Sequence, residues 1–192
     1  MESIQQFDID LLLWINHAFK SAWMDSVMLF FTDKYTWFPF YAVLLFFLYK
    51  SNTKKIWIHL IVLACCIAAA DQIASGVFKP YFERLRPCNN DELRSRLLLI
   101  EDVCGGTYGF VSSHAANTFA VAVFFMLKKV FKKKVFTYLL FLWAFIVSLS
   151  RVYLGLHYPG DILCGALVGV ASTYLIVWLE GVIEKKYYKQ EN

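Results

Sequence analysis

Residues 135–161 read VFTYLLFLWAFIVSLSRVYLGLHYPGD. The stretch opens with sixteen residues free of Asp, Glu, Lys and Arg, and then brings Arg151, His157 and Asp161 within eleven positions. As a helix, residues 135–153 rise about 28 Å, close to the thickness of a bilayer core. A continuous apolar run of that length spells a membrane-spanning helix rather than a half-buried strand. A cation, an imidazole and a carboxylate at its mouth are costly there unless they meet a partner.

Further spans lie on either side, at roughly 36–49, 56–78, 113–131 and 159–180. Trp37 and Tyr49, at the ends of the shorter first one, suit the membrane interface. Residues 7–19, with Asp8 and Asp10 near the start, are too short to span. Together with 23–31 they make either a helix pair or one kinked span. The expected fold is therefore all-α: a polytopic membrane bundle of about six helices forming a single domain over residues 1–192. A composition that is 59% hydrophobic and 18% aromatic, with mean hydropathy +0.51, suits this and excludes an ordinary soluble domain. No cleavable signal peptide is expected, because the N-terminus carries Glu2, Asp8 and Asp10 and no basic segment.

The net charge of +4 does not point to nucleic acid, because most lysines sit in short turns between spans. Lys50, Lys54 and Lys55 share one turn, Lys128, Lys129, Lys132, Lys133 and Lys134 another, and Lys185, Lys186 and Lys189 follow the last span. If the five spans alternate, these places share one side, which the positive-inside rule makes cytoplasmic. Lys79, the 80–112 connection, His114, Arg151, His157 and Asp161 then face the opposite side.

Those outward residues form three blocks: Lys79-x6-Arg86-Pro87, Ser112-Ser113-His114, and Ser150-Arg151-x5-His157-x3-Asp161. The mixture suits a phosphate ester. Lys79, Arg86 and Arg151 can hold its oxygens, Arg bidentately. One histidine can attack phosphorus, the other can donate a proton, and a carboxylate can orient the attacker. Asp161 lies one helical turn beyond His157, and Pro159 suits the first turn of a helix starting there. Alone, that pair would read as an interfacial His beside a helix-capping Asp; in company with the other blocks it reads as chemistry. Ser112 and Ser113 fall where a helix N-terminus is expected, a place for capping or for anion binding. Gly105, Gly106 and Gly109 upstream let that loop approach closely. Three nearby cations argue against a metal at His114, His157 and Asp161, and no cofactor is implied. Arg84 reads as a headgroup or surface charge, and His17 and His59 as interface or loop residues.

The three blocks resemble the signature of the type 2 phosphatidic acid phosphatase superfamily: Lys-x6-Arg-Pro, Pro-Ser-Gly-His and Ser-Arg-x5-His-x3-Asp. Two blocks match in full. The middle one has Val111 for Pro and Ser113 for Gly, a change that reshapes the oxyanion site. The resemblance spans roughly residues 79–161. It implies a metal-independent phosphatase with His157 as nucleophile, His114 as general acid and then base, and Asp161 holding the tautomer. Lys79, Arg86, Ser112, Ser113 and Arg151 would bind phosphate. The substrate would be a membrane lipid bearing a phosphomonoester or pyrophosphate: lipid A or undecaprenyl pyrophosphate first, phosphatidylglycerol phosphate or phosphatidic acid as alternatives. The setting would be a bacterial cytoplasmic (inner) membrane, with the site facing the periplasm or exterior. Readings of other classes are a lipid-to-lipid phosphotransferase and a non-catalytic membrane interaction protein. The spans disfavour the soluble haloperoxidase branch.

The five cysteines show no metal-binding spacing. Cys65, Cys66 and Cys164 fall in apolar spans as small packing residues. Cys88 and Cys104 share the outward connection, in a compartment that permits disulfides. A bridge between them would rigidify the loop beside Arg86 and Ser112.

Overall fold

The computed structural model describes residues 2–51, 53–100 and 104–188; Lys189 of the last lysine cluster lies outside them. The described residues are helical apart from turns, with an isolated antiparallel bridge between Leu85 and Tyr108. The amino-terminal apolar pieces are two separate helices, α1 (Glu2–Ala18) and α2 (Ala22–Thr32). Ser21 divides them: its backbone is extended, and its hydroxyl accepts the Met24 N–H as an N-cap.

Then come α3 (Phe38–Ser51) and α4 (Ile56–Asp71). The chain runs on from α4 through a π-helical segment (Gln72–Phe78) into α5 (Lys79–Phe82). Pro80 accounts for the widening. It has no N–H to donate, and its ring crowds the carbonyl four residues back, that of Gly76. Glu83 takes a left-handed backbone, φ +46°, and ends the helix. The connection carries the short α6 (Asp91–Arg94), capped by Asn90. The last three helices are α7 (Ser113–Leu127), α8 (Lys134–Tyr153) and α9 (Pro159–Tyr188).

Among the described residues, three helices are long and apolar enough to cross a bilayer: Thr53–Phe82, Lys134–Tyr153 and Pro159–Lys186. Their outward faces stay apolar, with Trp57, Ile61, Leu142, Phe145, Leu167 and Leu175 exposed, as lipid contact requires. The 15-residue α7 is shorter than a full span and forms the central post of the bundle. It packs against α9, α8 and α4, and nine of its residues are buried. The largest hydrophobic cluster lies towards the α7 C-terminus, where Leu48, Cys66, Phe124, Phe125 and Trp143 pack together. The Trp143 ring meets those of Trp37, Phe40 and Tyr41 there.

Two glycines set the closest helix approach. A Cβ at Gly165 would press on the Ser112 carbonyl, and one at Gly169 would overlap that of Ala116. Small residues four apart let two membrane helices touch backbone to backbone. Gly169→Val should push α9 off α7 and cost about 1–3 kcal/mol or more. A thermal unfolding scan in detergent should show a lowered midpoint; an unchanged midpoint would mean that the contact is soft.

Ion pairs mark the two ends of the bundle. Lys55–Glu184 and Lys128–Glu180 tie the start of α4 and the end of α7 to the far end of α9. At the other end, the Ser112 N–H donates to the Asp161 carbonyl at 3.0 Å, joining the starts of α7 and α9. All three sequence blocks lie at this second end.

Candidate active site

The turn from α8 into α9 explains the spacing of the third block. Gly155, with φ +70°, reverses the chain; a Cβ there would meet Leu99 at 2.7 Å. The Leu156 and His157 N–H groups both donate to the Arg151 carbonyl, at 2.9 and 3.2 Å. Five intervening residues are what this closed turn needs to return His157 beside Arg151. One helical turn on, Asp161 Oδ2 receives the Tyr158 N–H at 3.0 Å and sits 3.2 Å from His157 Nδ1. Both side chains are sealed off, His157 at 1% exposure and Asp161 at 0%.

Arg86 comes from the opposite wall, with Nη1 3.2 Å from His157 Nε2. A guanidinium only donates, so Nε2 must hold a lone pair and Nδ1 the proton that faces Asp161. The two neighbours thus assign the tautomer. Burial, followed by the charges of Arg86, Arg151 and Lys79, holds the His157 pKa well below the ordinary histidine value. The imidazole is neutral at pH 7, with its free nitrogen aimed at the cations.

The loop carrying Arg86 is clamped. Arg86 N–H donates to Thr107 O and Gly109 N–H to Arg84 O, on either side of the Leu85–Tyr108 bridge. Further along, a disulfide joins Cys88 and Cys104, Cα to Cα 6.0 Å. Gly109 is where this pair of segments crosses the site: a Cβ there would stand 3.1 Å from Asp161 Oδ2 and 3.2 Å from Arg86 Cγ.

The second block supplies the floor. Ser112 is fully buried, and its Oγ has no hydrogen-bond partner among the described residues. Its hydroxyl makes no cap bond at the start of α7, so simple N-capping does not account for it. Ser113 Oγ accepts from Lys79 Nζ at 2.9 Å and lies 2.8 Å from Ser75 Oγ. The hydroxyl that replaces the family's glycine therefore anchors Lys79. Half-buried His114 follows in the same turn, within electrostatic reach of Arg151, His157, Arg86 and Lys79. Arg151 is steered from α2, its Nη1 donating to Thr32 Oγ1 at 2.6 Å.

Two expectations need correction. Arg84 is no free headgroup or surface charge: it bridges Asp161 at 2.8 Å and Asp8 at 2.7 Å. His59 does not lie in a loop: it is buried in the first turn of α4, where the helix packs towards the Lys128–Glu180 end. His17 is exposed, its Nε2 2.8 Å from the Arg96 carbonyl. Asp8, Thr32 and Ser75 were not picked out for the site. Asp8 did carry a signal, a carboxylate inside an apolar segment; Ser75 lies one turn before Lys79, and Thr32 has no local signal at all.

Residues 60–183 match the PAP2 superfamily. The chain belongs to that superfamily. It is 35% identical to the lipid A 4'-phosphatase of Bacteroides thetaiotaomicron, over 93% of this chain and 79% of the relative. It is 32% identical to an undecaprenyl-diphosphatase of Sulfolobus acidocaldarius, over 93% of this chain and 82% of that one. In fold it resembles the crystal structure of a transmembrane PAP2-type phosphatidylglycerolphosphate phosphatase from Bacillus subtilis. The TM-score is 0.69 at 23% identity, covering 96% of this chain and 88% of the other. This PAP2 protein is accordingly an all-helical membrane lipid phosphatase.

Proposed function

We propose that this PAP2 phosphatase removes phosphate from an envelope lipid, lipid A foremost, through a phosphohistidine at His157. The observation that carries the reading is the placement of His157, held between Asp161 and Arg86 and within electrostatic reach of Lys79 and Arg151. Nε2 attacks phosphorus and the P–O bond to the lipid breaks. His114 protonates the departing lipid oxygen, and Asp161 stabilises the imidazolium. Lys79, Arg86, Arg151 and the buried Ser112 hold the phosphoryl oxygens as charge builds. Water, deprotonated by His114, then cleaves the P–N bond, releasing phosphate and restoring neutral His157.

Two cavities suit a lipid phosphate. One of about 420 Å³ opens over Lys79 and Arg86 and suits a headgroup. A cleft of about 700 Å³, lined by Ile4, Phe7, Leu11, Phe82, Phe110 and Leu163, reaches Arg84 and suits acyl chains. The likeness to the Bacteroides lipid A 4'-phosphatase favours lipid A. Undecaprenyl pyrophosphate is the second reading, favoured by the likeness to the Sulfolobus enzyme. Phosphate release from a panel of lipid A, undecaprenyl pyrophosphate, phosphatidylglycerol phosphate and phosphatidic acid tests the choice. Lipid A should be turned over fastest; preference for a glycerophospholipid would overturn the assignment. Since side-chain cations hold the phosphate, the rate should be unchanged in EDTA. Loss on chelation, restored by one divalent ion, would require a different mechanism.

The orientation belongs to the same reading. The lysine-bearing ends opposite the site favour a cytoplasmic face there and an active site outside a bacterial inner membrane. Cysteines placed at Glu92, in α6, and at Lys54, before α4, test it with Cys65, Cys66 and Cys164 replaced. An impermeant thiol reagent on intact cells, with any outer membrane permeabilised, should label position 92 and spare 54. The reverse pattern would put the site in the cytoplasm.

A further inference from the structure

We infer that Arg84 and Asp8 form a positioning pair that sets the carboxylate of Asp161 against His157. The inference rests on the reading of His157 as nucleophile. Asp161 uses its two oxygens differently. Oδ2 faces His157 Nδ1 and the Tyr158 N–H, and Oδ1 takes Arg84 Nη1 at 2.8 Å. The other arm of the Arg84 fork goes to Asp8 Oδ2 at 2.7 Å. Asp8 is itself pinned, since its Oδ1 accepts the Gly160 N–H at the start of α9 at 2.7 Å. The guanidinium also lies 3.7 Å over the Tyr158 ring, which fixes its plane.

Arg84 therefore differs from the other cations of this end. Lys79, Arg86 and Arg151 bond a serine hydroxyl, an imidazole and a threonine hydroxyl. Arg84 bonds two carboxylates, on the side of Asp161 away from His157. A carboxylate with no exposure needs a cation to remain ionised. Arg84 supplies that charge without using the phosphate-facing set. A guanidinium facing a single carboxylate tends to close on both oxygens. Here Asp8 splits the fork, so that one arm only reaches Asp161 and Oδ2 stays with His157. The acidic residue of α1 thus acts on the chemistry through Arg84.

The test compares kcat and KM of Arg84→Gln, Arg84→Lys, Asp8→Asn and the double variant Asp8→Asn/Arg84→Gln. The probes are bisphosphorylated lipid A and undecaprenyl pyrophosphate in detergent micelles, with His157→Ala as reference. Asp8→Asn removes the charge yet keeps an oxygen for the Gly160 N–H. Arg84→Gln should lower kcat about 10- to 100-fold, as loss of an orienting partner does, with KM little changed. Arg84→Lys should not restore it, because an ammonium has no fork. Asp8→Asn should cost about 3- to 10-fold, and the double variant should match Arg84→Gln, since coupled residues do not add. Wild-type kcat in Arg84→Gln overturns the proposal. So does a raised KM at unchanged kcat, which would make Arg84 a substrate ligand, or a double variant whose losses multiply. If Arg84→Gln fails to accumulate, Asp8→Asn decides alone, and wild-type kcat there overturns the pair. Activity in His157→Ala would instead defeat the underlying nucleophile assignment.

Discussion

His157→Ala is expected to lower turnover by about a millionfold, the scale seen when a covalent nucleophile is lost. That corresponds to about 8 kcal/mol of barrier. The expectation follows from the site's division of labour. Arg86 touches Nε2 while Asp161 faces Nδ1, so the ring is held at both nitrogens. Lys79, Arg86 and Arg151 remain in the variant and still bind phosphate, so KM should move far less than kcat. In the wild type, rapid quench with labelled substrate should trap an acid-labile phosphoryl group on His157. Its depressed pKa keeps Nε2 unprotonated below the ordinary histidine range, so the acid limb of the rate profile should lie under pH ~6.5. Full activity in the variant would remove the mechanism.

Asp161→Asn should follow with a loss of about ten-thousandfold, or about 5 kcal/mol, on the scale of tautomer control in other histidine–carboxylate pairs. Every partner of this side chain is a donor: the Tyr158 N–H, Arg84 Nη1 and the Nδ1 proton of His157. An amide presents one NH2 in place of an oxygen. Turned towards Arg84, that group leaves two donors face to face at 0% exposure. Turned towards His157, it draws the ring into the other tautomer and covers the attacking lone pair with a proton. Either way the nucleophile is lost or displaced while the fold is largely kept. A steady-state assay beside a thermal unfolding scan separates these effects. A variant within about tenfold of wild type would show that the carboxylate only caps α9.

The class of fold was readable without coordinates, and the reason is solvent. In a bilayer every backbone group must be satisfied within its own segment, so long apolar runs can only be helices. The spans read at 56–78, 135–153 and 159–180 lie inside helices that run Thr53–Phe82, Lys134–Tyr153 and Pro159–Tyr188. The three blocks were readable for a related reason: charge at the mouth of an apolar helix is costly, and so it stands out. Their internal spacings are local geometry, set by the closed turn onto the Arg151 carbonyl and by one turn of α9.

Composition and periodicity left other matters undecided, and these were the ones that depend on partners distant in the chain. Hydropathy does not say whether residues 7–31 kink or break; the Ser21 cap breaks them. Nor does it foretell that Pro80 and the π-helical segment set Ser75 and Lys79 together on Ser113. Arg84 looked superfluous because its partners are 76 and 77 residues away. Thr32 reaches Arg151 across 119 residues, with nothing local to mark it. The sequence by itself determined which residues must avoid lipid and which helices carry them. Only the tertiary structure decided which cation meets His157 and which one pairs with two carboxylates, because pairing of buried charges depends on distances that chain order does not contain.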